Sequence, residues 1–158
     1  MTQDTLANTI HWFQKARPNP TVQDFSTQLG VHFEEVREMT LALKANTIEA
    51  QTALNHAEYA LRVMSNLLKT NPEAIGVNDP LEMLDGLCDQ VVTATGVAHT
   101  LGYDFFGAMT EVNASNFSKF DEEGKPIFNE NKKVMKGANY FKAELTPFLN
   151  LRGVLQGS

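Results

Sequence analysis

The sequence is poor in the residues that build covalent or inorganic frameworks. Its 158 residues include one cysteine, Cys88. No disulfide can form within them, which suits a reducing cytoplasm. No Cys/His zinc pattern is present. Asn8, Leu29, Ala53 and Gly96 stand three places before the four histidines, so the Glu-x-x-His signature of di-iron bundles is missing. Positive charge is also scarce: thirteen Lys and Arg face nineteen Asp and Glu, a formal charge of −6. That balance speaks against a general nucleic-acid binder. A phosphate ligand remains open, because metal ions can carry the positive charge. The apolar runs are too short to span a bilayer. MTQDTLANTIHW lacks a basic-then-apolar leader pattern, so a cytoplasmic protein without membrane attachment is expected. There is no P-loop and no G-x-S-x-G elbow.

What remains is an ordinary globular composition, 42% hydrophobic and 20% charged, enough for one domain with one core over residues 1–158. Proline and glycine punctuate it into helices. RPNP (17–20) separates a short first helix from a second, which runs from Pro20, capped by Asn19, to about Ala45. Gly30 weakens the second helix by about 1 kcal/mol relative to Ala and permits a bend. ANTIEA (45–50) starts a third helix, Ile48 to Lys69, with Asn46 as cap and Glu49 at the box position. After a loop at 70–80, Asp79 caps a fourth helix with Pro80 first and Glu82 at the box position, and Gly102 stops it. Asp104 starts a fifth, to about Lys119. FDEEGKPIFNENKKVMKGANYF (120–141) then sets turn residues around short apolar pieces, as an ordered polar loop or a small hairpin of PIF against VMK. The expected fold is all-α: a helix bundle with core helices at about 20–119 and a basic arm at 120–141.

VHFEEVREM (31–39) places Glu34, Glu35 and Glu38 within a turn and a half of the second helix. Like charges at this spacing cost roughly 0.2–0.5 kcal/mol per pair. With about 100° per residue, the apolar stripe Phe25, Leu29, Phe33, Val36, Thr40 and Leu43 centres opposite these acids. Carboxylates so placed are usually solvated. Val31, Leu41, Ala42 and Ala45, however, fall on the acids' own side. They imply a second contact there, and carboxylates inside a contact must be paired, protonated or metal-bound. Arg37 and Lys44 are too few to neutralise three acids. On the fourth helix Glu82, Asp85 and Asp89 share an arc of about 60°, opposite an expected core side of Leu84, Leu87, Val91, Ala94 and Ala98. The small residues Gly86, Thr93, Gly96 and Thr100 continue the acidic face. Capping accounts for Glu82 and the helix N-terminus for Asp85, whereas Asp89 sits mid-helix, where Asp has poor propensity. Two such clusters offer oxygen-only ligands, which suit Mg²⁺ or Mn²⁺.

Residues 111–141 gather Lys119, Lys125, Lys132, Lys133 and Lys136, preceded by Asn113 and Asn116. Each lysine alone reads as a solvated loop residue. Together they read as cations that close over phosphates, with lysine acting as a point charge.

EEVRE on one helix, LDGLCDQVVTATGVAHTLGYD on a later one, then EVNASNFSKFDEEGKPI and KVMKGANY together resemble the MazG-like, all-α nucleoside triphosphate pyrophosphohydrolases. The branch with phosphoribosyl-ATP pyrophosphohydrolase-like phage proteins is the most similar. The resemblance covers roughly residues 28–140. It implies a helical bundle working as a homodimer or homotetramer, binding two or more Mg²⁺ ions (Mn²⁺ as a substitute) through an E-x-x-E and a later E-x-x-D motif. It also implies cleavage of a (d)NTP between the α- and β-phosphates to monophosphate and pyrophosphate. Glu35 and Glu38 match E-x-x-E, and Glu34 matches a frequent preceding Glu. The second motif has two registers. Literal E-x-x-D is Glu82–Asp85, whereas the D-x-x-V-T-x-x-G context aligns Asp89 with the family Asp, with Asp85 one turn before it.

The resulting expectation is a Mg²⁺-dependent (d)NTP pyrophosphohydrolase. Glu35, Glu38, Asp85, Asp89 and Glu82 are its metal candidates, and Glu34 and Glu35 its catalytic candidates. Lys119, Lys125 and Lys136 would hold the phosphates and Asn116 would contact the nucleotide. Gln28 and His32, one or two turns before the acids, are placed to read a base edge. The family includes enzymes acting on dGTP or GTP, the MazZ group. Two other classes compete: a metal-dependent nucleotide-binding module without turnover, and a non-enzymatic helical interaction protein with Trp12 as a contact anchor.

Overall fold

Each helix begins where a side chain can accept the first free backbone N–H groups. In a computed structural model that describes residues 1–130 and 133–149, Asp4 caps α1 (Thr5–Ala16) by accepting from Ala7 N–H. Thr21 caps α2 (Val22–Leu41) and forms a reciprocal capping box with Asp24. Thr47 caps α3 (Ile48–Thr70) through Ala50 N–H. Asp79 caps α4 (Pro80–Thr100), taking Leu81 and Glu82 N–H, with Pro80 in the first turn. Asp104 caps α5 (Phe105–Phe117) through Gly107 N–H. A 3-10 turn at Thr146–Phe148 ends the described chain. The chain is all-α, with five α-helices and no strand among the described residues. The expected starts at Asp79 and Asp104 are met, while Thr21 and Thr47 take the capping roles expected of Asn19 and Asn46. Gly102 terminates α4 at φ 75°, a left-handed conformation that glycine reaches without strain.

Two compact units emerge: Asn19–Asn78, and Met1–Pro18 with the chain from Asp79 onward. The first is the α2–α3 hairpin. Its closest approach lies at Ser26 and Gly30, both buried, while Phe25, Leu29, Phe33, Val36 and Thr40 of the expected apolar stripe are half-buried and Leu43 is exposed. The Ser26 hydroxyl donates to the Leu68 carbonyl at 2.7 Å. A Cβ added at Gly30 would stand 2.9 Å from the Ser65 carbonyl oxygen and 3.2 Å from Leu68 Cβ. Gly30 is therefore a close-approach point between the two helices.

In the second unit α1 packs on α5, and α5 also meets α4 and the 3-10 turn. The α1–α5 seam is polar at its centre. Asn113, 2% exposed, donates to the Thr5 carbonyl at 3.0 Å and accepts from the Thr9 hydroxyl at 3.1 Å. α4 departs most from expectation. Of the side Leu84, Leu87, Val91, Ala94 and Ala98, only Ala98 is buried, and Leu84 and Val91 are 60% and 55% exposed. An apolar stripe marks a face able to bury. In α4, no neighbour among the described residues of its own unit covers most of it.

The arm after α5 settles between the two forms expected for it. Phe128 and Val134 form a single antiparallel bridge, flanked by Met135 N–H to Ile127 carbonyl at 2.7 Å and Asn129 N–H to Lys133 carbonyl at 3.0 Å. Lys132 lies outside the described residues. The arm is tied to α1 by Lys15, whose ammonium donates to the Gly124 carbonyl at 2.9 Å. Arg17 adds a contact, its guanidinium 5.7 Å from the Phe128 ring centre.

Candidate functional site

The three α2 acids have different surroundings. Glu34 accepts from Lys69 of α3 at 2.6 Å, with both side chains part-exposed. Glu35 and Glu38 are exposed. Among the described residues neither makes a side-chain hydrogen bond or ion pair. Arg37, which stands between them, turns instead to Glu58 of α3 at 2.7 Å, and Arg62 reaches the same carboxylate at 3.4 Å. The hydrogen bond from Arg37 holds the Glu58 carboxyl below its ordinary range. The basic groups nearest the acids were thus only partly visible in sequence: Lys69 is 35 residues from its partner, and Arg37 serves another acid. Gln28 is exposed on α2, and His32 is half-buried with its ring 6.1 Å from that of Phe33.

Glu82, Asp85 and Asp89 are exposed on α4. The Glu82 backbone N–H completes the Asp79 cap at 3.2 Å. Nothing lies within 4 Å of a Cβ added at Gly86 or Gly96. The α2 acids and the α4 acids belong to different units. Among the described residues, no three His, Cys, Asp or Glu side chains form a group arranged to hold a metal ion. Glu35 and Glu38 on α2, and separately Asp85 and Asp89 on α4, offer carboxylate oxygens, the donor type a hard divalent cation prefers.

The basic residues do gather. Lys119, half-buried at the end of α5, donates to the Asn116 amide oxygen at 2.8 Å. Burial lowers its affinity for a proton, and the charges of Lys136 and Lys133 lower it further. Lys136 stands 4.5 Å from the Tyr140 ring centre. Gly137 seats this segment by approaching the backbone closely: its N–H donates to the Lys119 carbonyl at 3.0 Å, and an added Cβ would stand 2.8 Å from the Phe120 carbonyl oxygen. No carboxylate among the described residues pairs with Lys119, Lys133 or Lys136. Lys125 is separate from them in its bonding, spending its charge on Glu123 at 2.6 Å in the open.

Sequence reasoning missed the role of Trp12. The interaction-protein reading offers it as a contact anchor, and in the structure it is half-buried. Its indole N–H donates to the Asn116 carbonyl at 2.9 Å, and its ring stacks on Phe120 at 5.8 Å and 8°. Lys119 Nζ lies 5.7 Å from the Trp12 ring centre. The available signal was spacing, since Trp12 stands one turn from the buried Asn8 and Ala16 on α1. Comparison with protein-family models, curated proteins and solved structures finds no match to this chain.

Proposed function

We propose that the protein is a Mg²⁺-dependent nucleoside triphosphate pyrophosphohydrolase of the reducing cytoplasm, releasing pyrophosphate and a (d)NMP. The observation that carries this reading is the lysine group: half-buried Lys119 feels the charges of Lys136 and Lys133, and none of the three has a carboxylate partner among the described residues. Mutual repulsion makes such a group costly unless an anion meets it. Lys119 and Lys136 would hold phosphate oxygens, and Asn116 would set the direction of Lys119. Lys125 has a weaker claim because Glu123 already pairs with it.

Glu35 and Glu38, and separately Asp85 and Asp89, are the carboxylates offered to Mg²⁺, with Glu82 beside them. When bound, the metal supplies charge neutralisation for the phosphates and a more acidic water. Glu34, held by Lys69 at 2.6 Å, is fixed in direction and suited to orient a water and take its proton. Gln28 and His32 remain the base-edge candidates, with a guanine nucleotide as the first substrate to try. A homodimer or homotetramer fits the exposed apolar residues of α4, Leu81, Leu84, Val91 and Val92.

Product analysis across a panel of natural and modified (d)NTPs tests the reading. Pyrophosphate and monophosphate in equal amounts support it. Release of orthophosphate, or no turnover with any nucleotide, sinks it. Glu38→Gln is expected to abolish turnover without unfolding the chain, and full activity in that variant removes Glu38 from the site. The same α4 residues favour a second reading, a helical interaction protein whose acids are merely solvated. Calorimetry with Mn²⁺ separates the two, since absence of binding selects the second.

A further inference from the structure

α1 lies outside the segment that resembles the hydrolases, yet one of its side chains is built into the lysine group. Trp12 is fixed at two points: its N–H on the Asn116 carbonyl at 2.9 Å, and its ring on Phe120, which is 4% exposed. Its ring centre is 5.7 Å from Lys119 Nζ. Among the described residues that ammonium makes one hydrogen bond, to the Asn116 amide oxygen at 2.8 Å. The same residue thus fastens Trp12 through its backbone and Lys119 through its side chain. A cation near an indole face is attracted by the ring quadrupole, and an acceptor oxygen favours the protonated amine.

We propose that Trp12 is a positioning residue for Lys119, holding the ammonium aimed beside Asn116 so that it can meet a polyphosphate anion. The anionic ligand rests on the function proposed above; the positioning claim rests on the geometry alone. Burial, Lys136 and Lys133 all push Lys119 toward losing its proton. The Asn116 amide oxygen and the Trp12 ring face stand on the ammonium as its acceptor and its neighbour. The bond of Lys15 to the Gly124 carbonyl directs that neighbouring cation to the arm backbone instead.

The test uses the full chain with inorganic tripolyphosphate as probe, by calorimetry at pH 7, and reads the Lys119 Hε resonances by NMR. Trp12→Phe keeps an aromatic face and loses the N–H; Trp12→Leu loses both. Trp12→Leu is expected to weaken tripolyphosphate binding roughly two- to fivefold at pH 7, the scale of one cation–π contact. Trp12→Phe should retain most of the affinity. Equal losses in the two variants, or Lys119 Hε resonances that do not move in Trp12→Leu, overturn the proposal. If wild-type protein does not bind tripolyphosphate, the anionic-ligand reading falls, and the Lys119 Hε resonances still decide the positioning claim. A third readout needs no variant: in wild type the Lys119 Hε resonances should lie upfield of those of Lys125, and coincident resonances overturn the proposal.

Discussion

α2 and α4 are nearly equal in length, 20 and 21 residues, and each carries a cluster of three acids, Glu34, Glu35 and Glu38 on α2 and Glu82, Asp85 and Asp89 on α4. Their environments differ sharply. α2 is gripped by α3 along Ser26 and Gly30, and two cross-helix ion pairs, Glu34–Lys69 and Arg37–Glu58, lie further along it. α4 has the more apolar sequence but buries only Ala98. The contrast shows that an apolar stripe does not by itself choose the contact. The α2–α3 contact is chosen by shape, where the absence of a side chain at Gly30 lets two backbones approach and the Ser26 hydroxyl satisfies a buried carbonyl. Among the described residues α4 has no such closure within its unit, and its apolar face stays exposed.

Substitution at the glycines should separate the two helices most clearly. Gly30→Val places new atoms against the Ser65 carbonyl and Leu68 Cβ, and overpacking of this kind costs about 1–3 kcal/mol. A lowered urea midpoint is the expected result. An unchanged midpoint would mean that α2 and α3 are not closely packed there. Gly86→Ala and Gly96→Ala should do the opposite. Both sites are open, so each change should stabilise by roughly 0.5–1 kcal/mol through helix propensity alone. If either destabilises instead, with a melting temperature that depends on protein concentration, α4 is closely packed against a second chain.

Helix positions were legible because they depend on local chemistry. Asp79–Pro80, Asp104 and Gly102 act within a few residues, and their caps and stop fall where expected. The shift from Asn19 to Thr21 has a local cause too. Thr21 has Asp24 three positions on and the two bond reciprocally, a signal as readable as the one preferred. Cross-helix pairing was not legible. Whether Lys69 meets Glu34, or Arg37 turns to Glu58, depends on the register of α2 against α3, and that is set by Gly30 and Ser26. The lysine group was partly readable as a run of cations. Its division, with Lys125 spent on Glu123 while Lys119 is held by Asn116 and Trp12, required the fold of the arm.

A smaller effect is expected from Lys69→Met, which leaves Glu34 without its partner. The pair is part-exposed, so the stability lost should be about 0.2–1 kcal/mol and should shrink with added salt. A salt-independent loss would assign Lys69 to packing, since its Cγ would lie 3.0 Å from a Cβ at Gly30.

The smallest expected effect is also the most specific to the α2–α3 pair, because it depends on pH. Arg37 holds the Glu58 carboxyl below its ordinary range by a hydrogen bond, with Arg62 adding to it. A carboxyl with a lowered value in the folded state binds fewer protons there than in the unfolded chain. Its contribution is therefore present above the ordinary carboxylate range and is lost as pH falls through the folded value. Glu58→Gln should lower the melting temperature modestly at pH 7, and the gap from wild type should close as the pH is taken down toward 3. Glu49 and Glu144, both held low by local hydrogen bonds, keep acid sensitivity of the same sign in the variant, so the difference between the two curves is the quantity to read. A gap that persists unchanged to pH 3 would mean that Glu58 supports the hairpin through its shape and not its charge, and the ion pair would cease to distinguish α2 from α4.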